Sequence, residues 1–254
     1  MSRLYLSDYN LNMIMPDFSA FSSIQDWALS YVFGKKNISH NGIHFDRLTS
    51  IGDNGLNACF QECTGITGEV SFPKLTTVGS YGMRYCFYDC TGITGLSGFS
   101  LLTSISSNGM AGCFAGCTSL VSSISFPSLT SVGRDGMQVC FQGCTGVSNV
   151  ASFPSLETVE SNGMYYCFDN TGITGISFPK LTTIGDSGMQ CCFNRCKKLT
   201  SASFPSLTSV GYYSLKDCFS GSGVTQVHFK SSLSGNSECT ASNLGITGNV
   251  YFDL

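Results

Sequence analysis

The sequence predicts an α/β solenoid, one stack of coils of about 25–27 residues built from a short strand, a second extended segment and a short helix. The first observation is a period. The phenylalanine of an F-P-x-L turn falls at Phe45, Phe72, Phe99, Phe126, Phe153, Phe178, Phe204, Phe229 and Phe252, at intervals of 27, 27, 27, 27, 25, 26, 25 and 23 residues. A fixed period in this range marks a solenoid, a propeller or an array. The second is a change of hydrophobic pattern inside each period, from alternation to helical spacing. The third is that glycine, serine and threonine recur at fixed places, which a flexible low-complexity chain does not require.

Composition narrows the functions. Of 254 residues only 11% are charged and the net charge is −3. There is no electrostatic footprint for nucleic acid or an anionic membrane. No stretch approaches the roughly 18–20 apolar residues of a membrane span. The N-terminus, MSRLYLSDYNLNMIMPDF, lacks the basic segment and apolar core of a secretory signal. A virion, cell-surface or extracellular location is expected, reached by another route such as lysis or particle assembly, unless a signal has been trimmed away.

Residues 1–42 are expected to form an N-terminal cap or attachment segment, 43–230 the solenoid and 231–254 a C-terminal cap. A helix is predicted from Ser23 to Phe33: Ser22 and Gln25 suit a capping box, and Gly34 supplies a stop. Ile24, Trp27, Ala28, Tyr31 and Val32 then share one face, which would cover the open hydrophobic end of the stack. On this reading Trp27, the single tryptophan, packs in the core.

Each repeat opens with a short strand such as 68–72, with Val70 and Phe72 pointing one way. Pro73, Pro127, Pro154, Pro179 and Pro205 end it where a missing N–H costs least. A second extended piece follows, Leu75-Thr76-Thr77-Val78 and its equivalents, closed by Gly79, Gly133, Gly185 or Gly211. The third part, 82–90, places Met83, Cys86, Phe87 and Cys90 at i, i+3, i+4 and i+7, the inward stripe of a short helix. The glycine before Met, or before Leu56 in the first case (Gly55, Gly82, Gly109, Gly136, Gly163, Gly188), is expected where neighbouring coils approach too closely for a Cβ.

The fourteen cysteines follow the same period. Cys59, Cys86, Cys113, Cys140, Cys167, Cys192 and Cys218 form one column; Cys63, Cys90, Cys117, Cys144 and Cys196 form a second, with Cys191 and Cys239 outside both. The second column lapses in two repeats, so its members need no partners, and the thiols are expected to be free and buried like small hydrophobes. Helices about 8–10 Å apart would also hold them beyond disulfide reach. Zinc would need four convergent ligands, whereas each Cys pair lies on an apolar face beside Phe, so packing is the better reading and no metal or cofactor is expected.

The order L-T-S-I/V-G-x-x-G-M-x-x-C-F-x-x-C-T-x-(I/L)-T…F-P resembles the BspA-like leucine-rich repeat, across about 43–230. Here G-M-x-x-C-F-x-x-C stands where that family has A-F-x-x-C, four residues more. The resemblance implies a solenoid displaying a binding surface, often on bacterial or protist cells. As a cysteine-rich variant ending in G-N-V-Y-F-D-L, the chain also looks like repeat domains of bacteriophage tail and receptor-binding proteins.

No nucleophile elbow or P-loop is present; His40 and His44 lie at the first coil and His228 near the last, with no recurring acid–base partner. An enzyme is disfavoured. The informative positions are outward ones where repeats differ: Tyr81, Arg84, Tyr85, Tyr88, Tyr165, Tyr166, Tyr212 and Tyr213 are the candidate binding residues. The competing surface is the threonine column Thr76, Thr130, Thr182 and Thr208, for which strand propensity and solubility are sufficient reasons. The expected function is recognition of a cell-surface protein or glycan, as in a phage tail component. The alternative is a structural virion or surface-assembly protein that binds copies of itself or other virion proteins through 1–42 or 231–254.

Overall fold

A computed structural model of the chain describes residues 15–36 and 38–254; the first fourteen residues of the expected cap lie outside the described residues. The coils stack in chain order. Eight two-residue strands (Ser23–Ile24, Ser50–Ile51, Thr77–Val78, Ser104–Ile105, Ser131–Val132, Thr158–Val159, Thr183–Ile184 and Ser209–Val210) form one parallel sheet. Equivalent residues pair without slippage, as Thr77 with Ser50 and Ser104. The Val or Ile of each pair faces the core, and its Ser or Thr neighbour faces out. The threonine before each strand has a structural job: Thr76 gives both N–H and Oγ1 to the carbonyl of Thr49, at 2.9 and 2.8 Å. Thr130 and Thr182 repeat this bond one coil apart from their acceptors.

On a second side the longer strands make three parallel groups instead of one sheet. His40–His44, Ile66–Ser71 and Ile93–Ser97 pair; so do Val150–Ser152 and Gly175–Ser177; so do Ser201–Phe204, Gln226–Phe229 and Asn249–Tyr251. Gly98 marks the first break. It is an extra residue after Ser97, in a left-handed conformation (φ 94°), and a Cβ there would collide with the backbone of Phe72 and Pro73.

The third side corrects the expected helix. In 81–90 the N–H groups of Arg84, Cys86, Tyr88 and Cys90 close turns onto carbonyls three residues back, while those of Tyr81, Met83, Tyr85, Phe87 and Asp89 bond the next coil. Every fourth residue is left-handed: Tyr81 (φ 57°), Tyr85 (51°) and Asp89 (53°). This is a ribbon of linked turns. The inward set was nevertheless placed correctly, for Met83, Cys86, Phe87 and Cys90 are fully buried. A helix on every coil would need about 8–10 Å between neighbours, whereas paired strands sit about 4.8 Å apart, so hydrogen-bonded turns suit the coil rise and helices do not.

The segment 23–36 is likewise no helix. Ser23–Ile24 pairs with Ser50–Ile51, and the N–H groups of Trp27, Leu29, Tyr31, Phe33 and Lys35 bond carbonyls of 53–61, as the 81–89 ribbon bonds 107–115. Ile24 and Phe33 are buried, but Trp27 is 46% exposed and Tyr31 61%, so the tryptophan is not a core residue.

Two files of phenylalanine rings run through the core. Phe33, Phe60, Phe87, Phe114, Phe141, Phe168, Phe193 and Phe219 stack with neighbouring centroids 5.2–5.7 Å apart. Phe45, Phe72, Phe99, Phe126, Phe153, Phe178, Phe204, Phe229 and Phe252 make the second file. Edge-to-face contacts such as Phe72–Phe87 tie the two together.

All fourteen cysteines are free and buried. The spacing argument against disulfides does not hold, because ribbons of successive coils are directly hydrogen-bonded. The second column is also more than apolar filler. Cys63, Cys90, Cys117, Cys144 and Cys196 each donate S–H to the carbonyl of a preceding-coil phenylalanine at 3.0–3.2 Å. The glycine before Met is crowded chiefly from within its own coil: a Cβ on Gly82 would meet Gly79 O and Val78 Cγ1, both at 2.9 Å.

Candidate functional site

The turn ribbon decides which side chains reach solvent. Its left-handed positions form columns down the stack, set apart from the inward Met, Cys and Phe columns. One column reads Trp27, Asn54, Tyr81, Asn108, Asp135, Asn162, Ser187 and Tyr213; another reads Tyr31, Ala58, Tyr85, Gly112, Val139, Tyr166, Cys191 and Asp217. Asn, Asp and Gly tolerate positive φ, whereas bulky residues adopt it at a cost of about 1–2 kcal/mol each. Aromatic residues therefore sit in these columns against the local backbone preference.

The fullest cluster is on the 81–89 ribbon. The Arg84 guanidinium lies over two rings, 4.7 Å from the centroid of Tyr85 and 5.5 Å from that of Tyr81. Tyr85 meets Tyr88 edge to face at 5.6 Å. The Nε of Arg84 is buried with no hydrogen-bond partner among the described residues. Tyr85 also covers Gly112 of the next coil, its ring edge filling the place of a Cβ there. Asp89 closes the cluster, and its carboxyl is pushed up by burial and by the Glu62 charge. That carboxylate in turn raises the Tyr88 phenol.

The other candidate tyrosines do not join this cluster. Tyr165 and Tyr166 pack edge to face at 4.6 Å three coils on, where a hydrogen bond with the Cys191 thiol raises the Tyr166 phenol. Beside them the fully buried carboxylate of Asp169 is held by Arg195 Nε and Gln142 Nε2, each at 2.9 Å, and by Arg195 Nη2. Tyr212 and Tyr213 lie two coils further along, with ring centroids 3.8 Å apart and Lys216 Nζ 4.4 Å from Tyr213. Tyr212 is the most exposed of the eight, at 64%.

Sequence reasoning missed Trp27 and Tyr31, which occupy the same two columns as Tyr81 and Tyr85. The signal was present: SIQDWALSYVF at 23–33 aligns with SIGDNGLNACF at 50–60. A helical reading put both side chains inward.

The histidines have local duties. His44 Nδ1 bonds Ser71 Oγ at 2.9 Å, His40 Nδ1 meets the Gly42 carbonyl at 2.6 Å, and His228 Nδ1 meets Asp253 at 2.9 Å. Among the described residues no three His, Cys, Asp or Glu side chains converge as metal ligands would. Among them, too, no helix is long and apolar enough to cross a membrane.

A family model described as the BspA type leucine-rich repeat region matches six copies, over residues 28–161 and 111–244. No curated protein matches the sequence. Among solved structures, a leucine-rich repeat protein of T. pallidum is 21% identical with a TM-score of 0.40, over 60% of this chain and 64% of that one. One from Bacteroides ovatus is 16% identical with a TM-score of 0.26, over 80% of this chain and 64% of that one. A leucine-rich cell surface protein of Faecalibacterium prausnitzii is 15% identical with a TM-score of 0.23, over 91% and 82%. The chain thus spans less than two thirds of the first two.

Proposed function

This chain belongs to the BspA-type leucine-rich repeat family, and from that premise we propose that it is a non-enzymatic adhesion module at a cell or virion surface. Its partner on this reading is a cell-surface protein or glycan, met by the outer face of the turn ribbon. The observation that carries the reading is the presence of Tyr81, Tyr85, Tyr166 and Tyr213 at φ values of 51–57°. Equivalent coils have Asn54, Asn108, Asp135, Asn162 and Ser187 in the column of Tyr81 and Tyr213, and Ala58, Gly112, Val139, Cys191 and Asp217 in that of Tyr85 and Tyr166, and build the same ribbon. Folding therefore does not call for tyrosine there, and strain tolerated on a surface points to use of the side chain. A tyrosine offers a partner both an apolar ring and a polar tip at low entropic cost.

The test exchanges Tyr81 for the residue its column prefers. Tyr81→Asn is expected to leave the melting temperature unchanged or slightly raised, because asparagine tolerates the left-handed backbone. Attachment to intact cells should weaken at least tenfold, about 1.4 kcal/mol. Attachment unchanged by Tyr81→Asn, Tyr85→Ser and Tyr212→Ser alike would remove the ribbon face from the reading. Light scattering showing a defined oligomer lost with those same changes would turn it toward self-assembly.

A further inference from the structure

We propose that the 81–89 ribbon is a subsite for an acidic sugar, a uronic or sialic acid, whose carboxylate is taken by Arg84 and whose ring rests on the neighbouring tyrosines. This rests on the adhesion reading and specifies its ligand. Three observations converge on one coil.

The first is the state of Arg84. Its guanidinium is fixed over the rings of Tyr81 and Tyr85, yet its buried Nε–H has no acceptor, and it is in no ion pair among the described residues. Arg195 on the same face is the contrast, with its charge answered by Asp169. A planar cation held in place by two rings is pre-organised to meet a carboxylate. The second is the rings. Tyr81 is 38% exposed, and Tyr85 and Tyr88 present partly open faces set at right angles to each other. Such ring faces and edges suit the C–H surface of a sugar.

The third is the far end of the cluster. Asp89 follows Tyr88 on the ribbon, and Glu62 of the preceding coil, ion-paired with Lys35 at 3.6 Å, gives its N–H to the Tyr88 carbonyl. They would repel a simple polyanion, but they accept hydrogen bonds from hydroxyl groups. A ligand with a carboxylate at one end, an apolar ring face between and hydroxyls at the other end matches all three. An acidic peptide or a phosphate matches only the first. The next coil carries Ala111, Gly112, Ala115 and Gly116 at the equivalent positions, and the Tyr85 ring and the Asp89 carboxylate lie over its Gly112 and Gly116.

The test is an array carrying glycans that end in uronic or sialic acids, the carboxyl methyl esters of the same glycans, and neutral parents. The intact chain should bind at least one acid tenfold or more above its ester. Arg84→Gln should remove that preference while the melting curve stays in place, and Arg84→Lys should restore only part of it. Equal binding of acid and ester by the unaltered chain overturns the assignment, and needs no variant. So does attachment to cells that depends on Tyr81 while every array sugar is ignored; that result leaves the adhesion reading standing. Cell attachment indifferent to the tyrosines, together with an array without acid preference, overturns both.

Discussion

The ring of Tyr85 lies over the α-carbon of Gly112 in the following coil, at the place a Cβ would fill. The candidate surface is thus partly built by the coil beneath it. Gly112 is also left-handed, at φ 60°, so a side chain there is disfavoured twice. Gly112→Ala should lower stability by about 1–2 kcal/mol from the backbone alone. It should also lift Tyr85 away from Arg84 and weaken attachment. A variant with an unchanged melting temperature would mean that the ring does not rest there.

Phe141 tests the core in the same way. It is fully buried between Phe114 and Phe168, with centroids 5.6 and 5.4 Å away. Phe141→Ala should cost about 3–5 kcal/mol, the range for an aromatic side chain lost from a packed core. Denaturant unfolding showing a shift under 1 kcal/mol would mean that the files slide to close the gap.

Much of this fold was legible because burial repeats with the sequence. The phenylalanine, methionine and cysteine columns named the inward residues, and those residues are buried, with Phe252 at the end of the stack half-buried. The backbone carrying them was not legible from that pattern. A helix returns a side chain to one face every three or four residues, and a ribbon with a left-handed residue at every fourth position does the same. The distinguishing signal was Asn54-Gly55, Asn108-Gly109 and Asn162-Gly163, where Asn precedes the crowded glycine and takes φ values of 54–56°. Read as turn residues, they would also have turned Trp27 and Tyr31 outward. For the site, the sequence indicated which tyrosines vary between repeats. It could not indicate that Arg84 is held by two of them, because the clustering depends on the turn geometry.

The buried thiols predict an alkaline limit to stability. Burial raises Cys63 to about 11, and Cys144 and Cys239 to about 12, from the usual value near 9.0. The folded pKa values lie above the unfolded ones, so the contribution is complete below pH 9, where both states are protonated. Above it the unfolded chain ionises first. Each such thiol then removes about 1.4 kcal/mol per pH unit, until the pH passes its folded value. The melting temperature should be level from about pH 6.5 to 8.5 and fall steeply from 9 to 11, with several thiols acting together. A level profile to pH 11 would mean that the thiols are open to solvent. Replacing Cys63 and Cys144 by Ala should make the fall shallower.

The last prediction concerns a coil that breaks the glycine column. Where five coils have Gly before Met and one has Gly55 before Leu56, a further coil has Ser214 before Leu215. Ser214 is fully buried, and its hydroxyl has no hydrogen-bond partner among the described residues. An unsatisfied buried hydroxyl costs about 1–3 kcal/mol, and this coil already accommodates a Cβ. Ser214→Ala removes the hydroxyl and keeps that Cβ. It should raise stability by about 1 kcal/mol, read as a higher denaturant midpoint at constant slope. Ser214→Gly should gain less, because the glycine regains backbone freedom in the unfolded chain. If Ser214→Ala instead destabilises, the hydroxyl has a partner, and a buried water bonded to Ser214 Oγ would be the group to seek in a crystal.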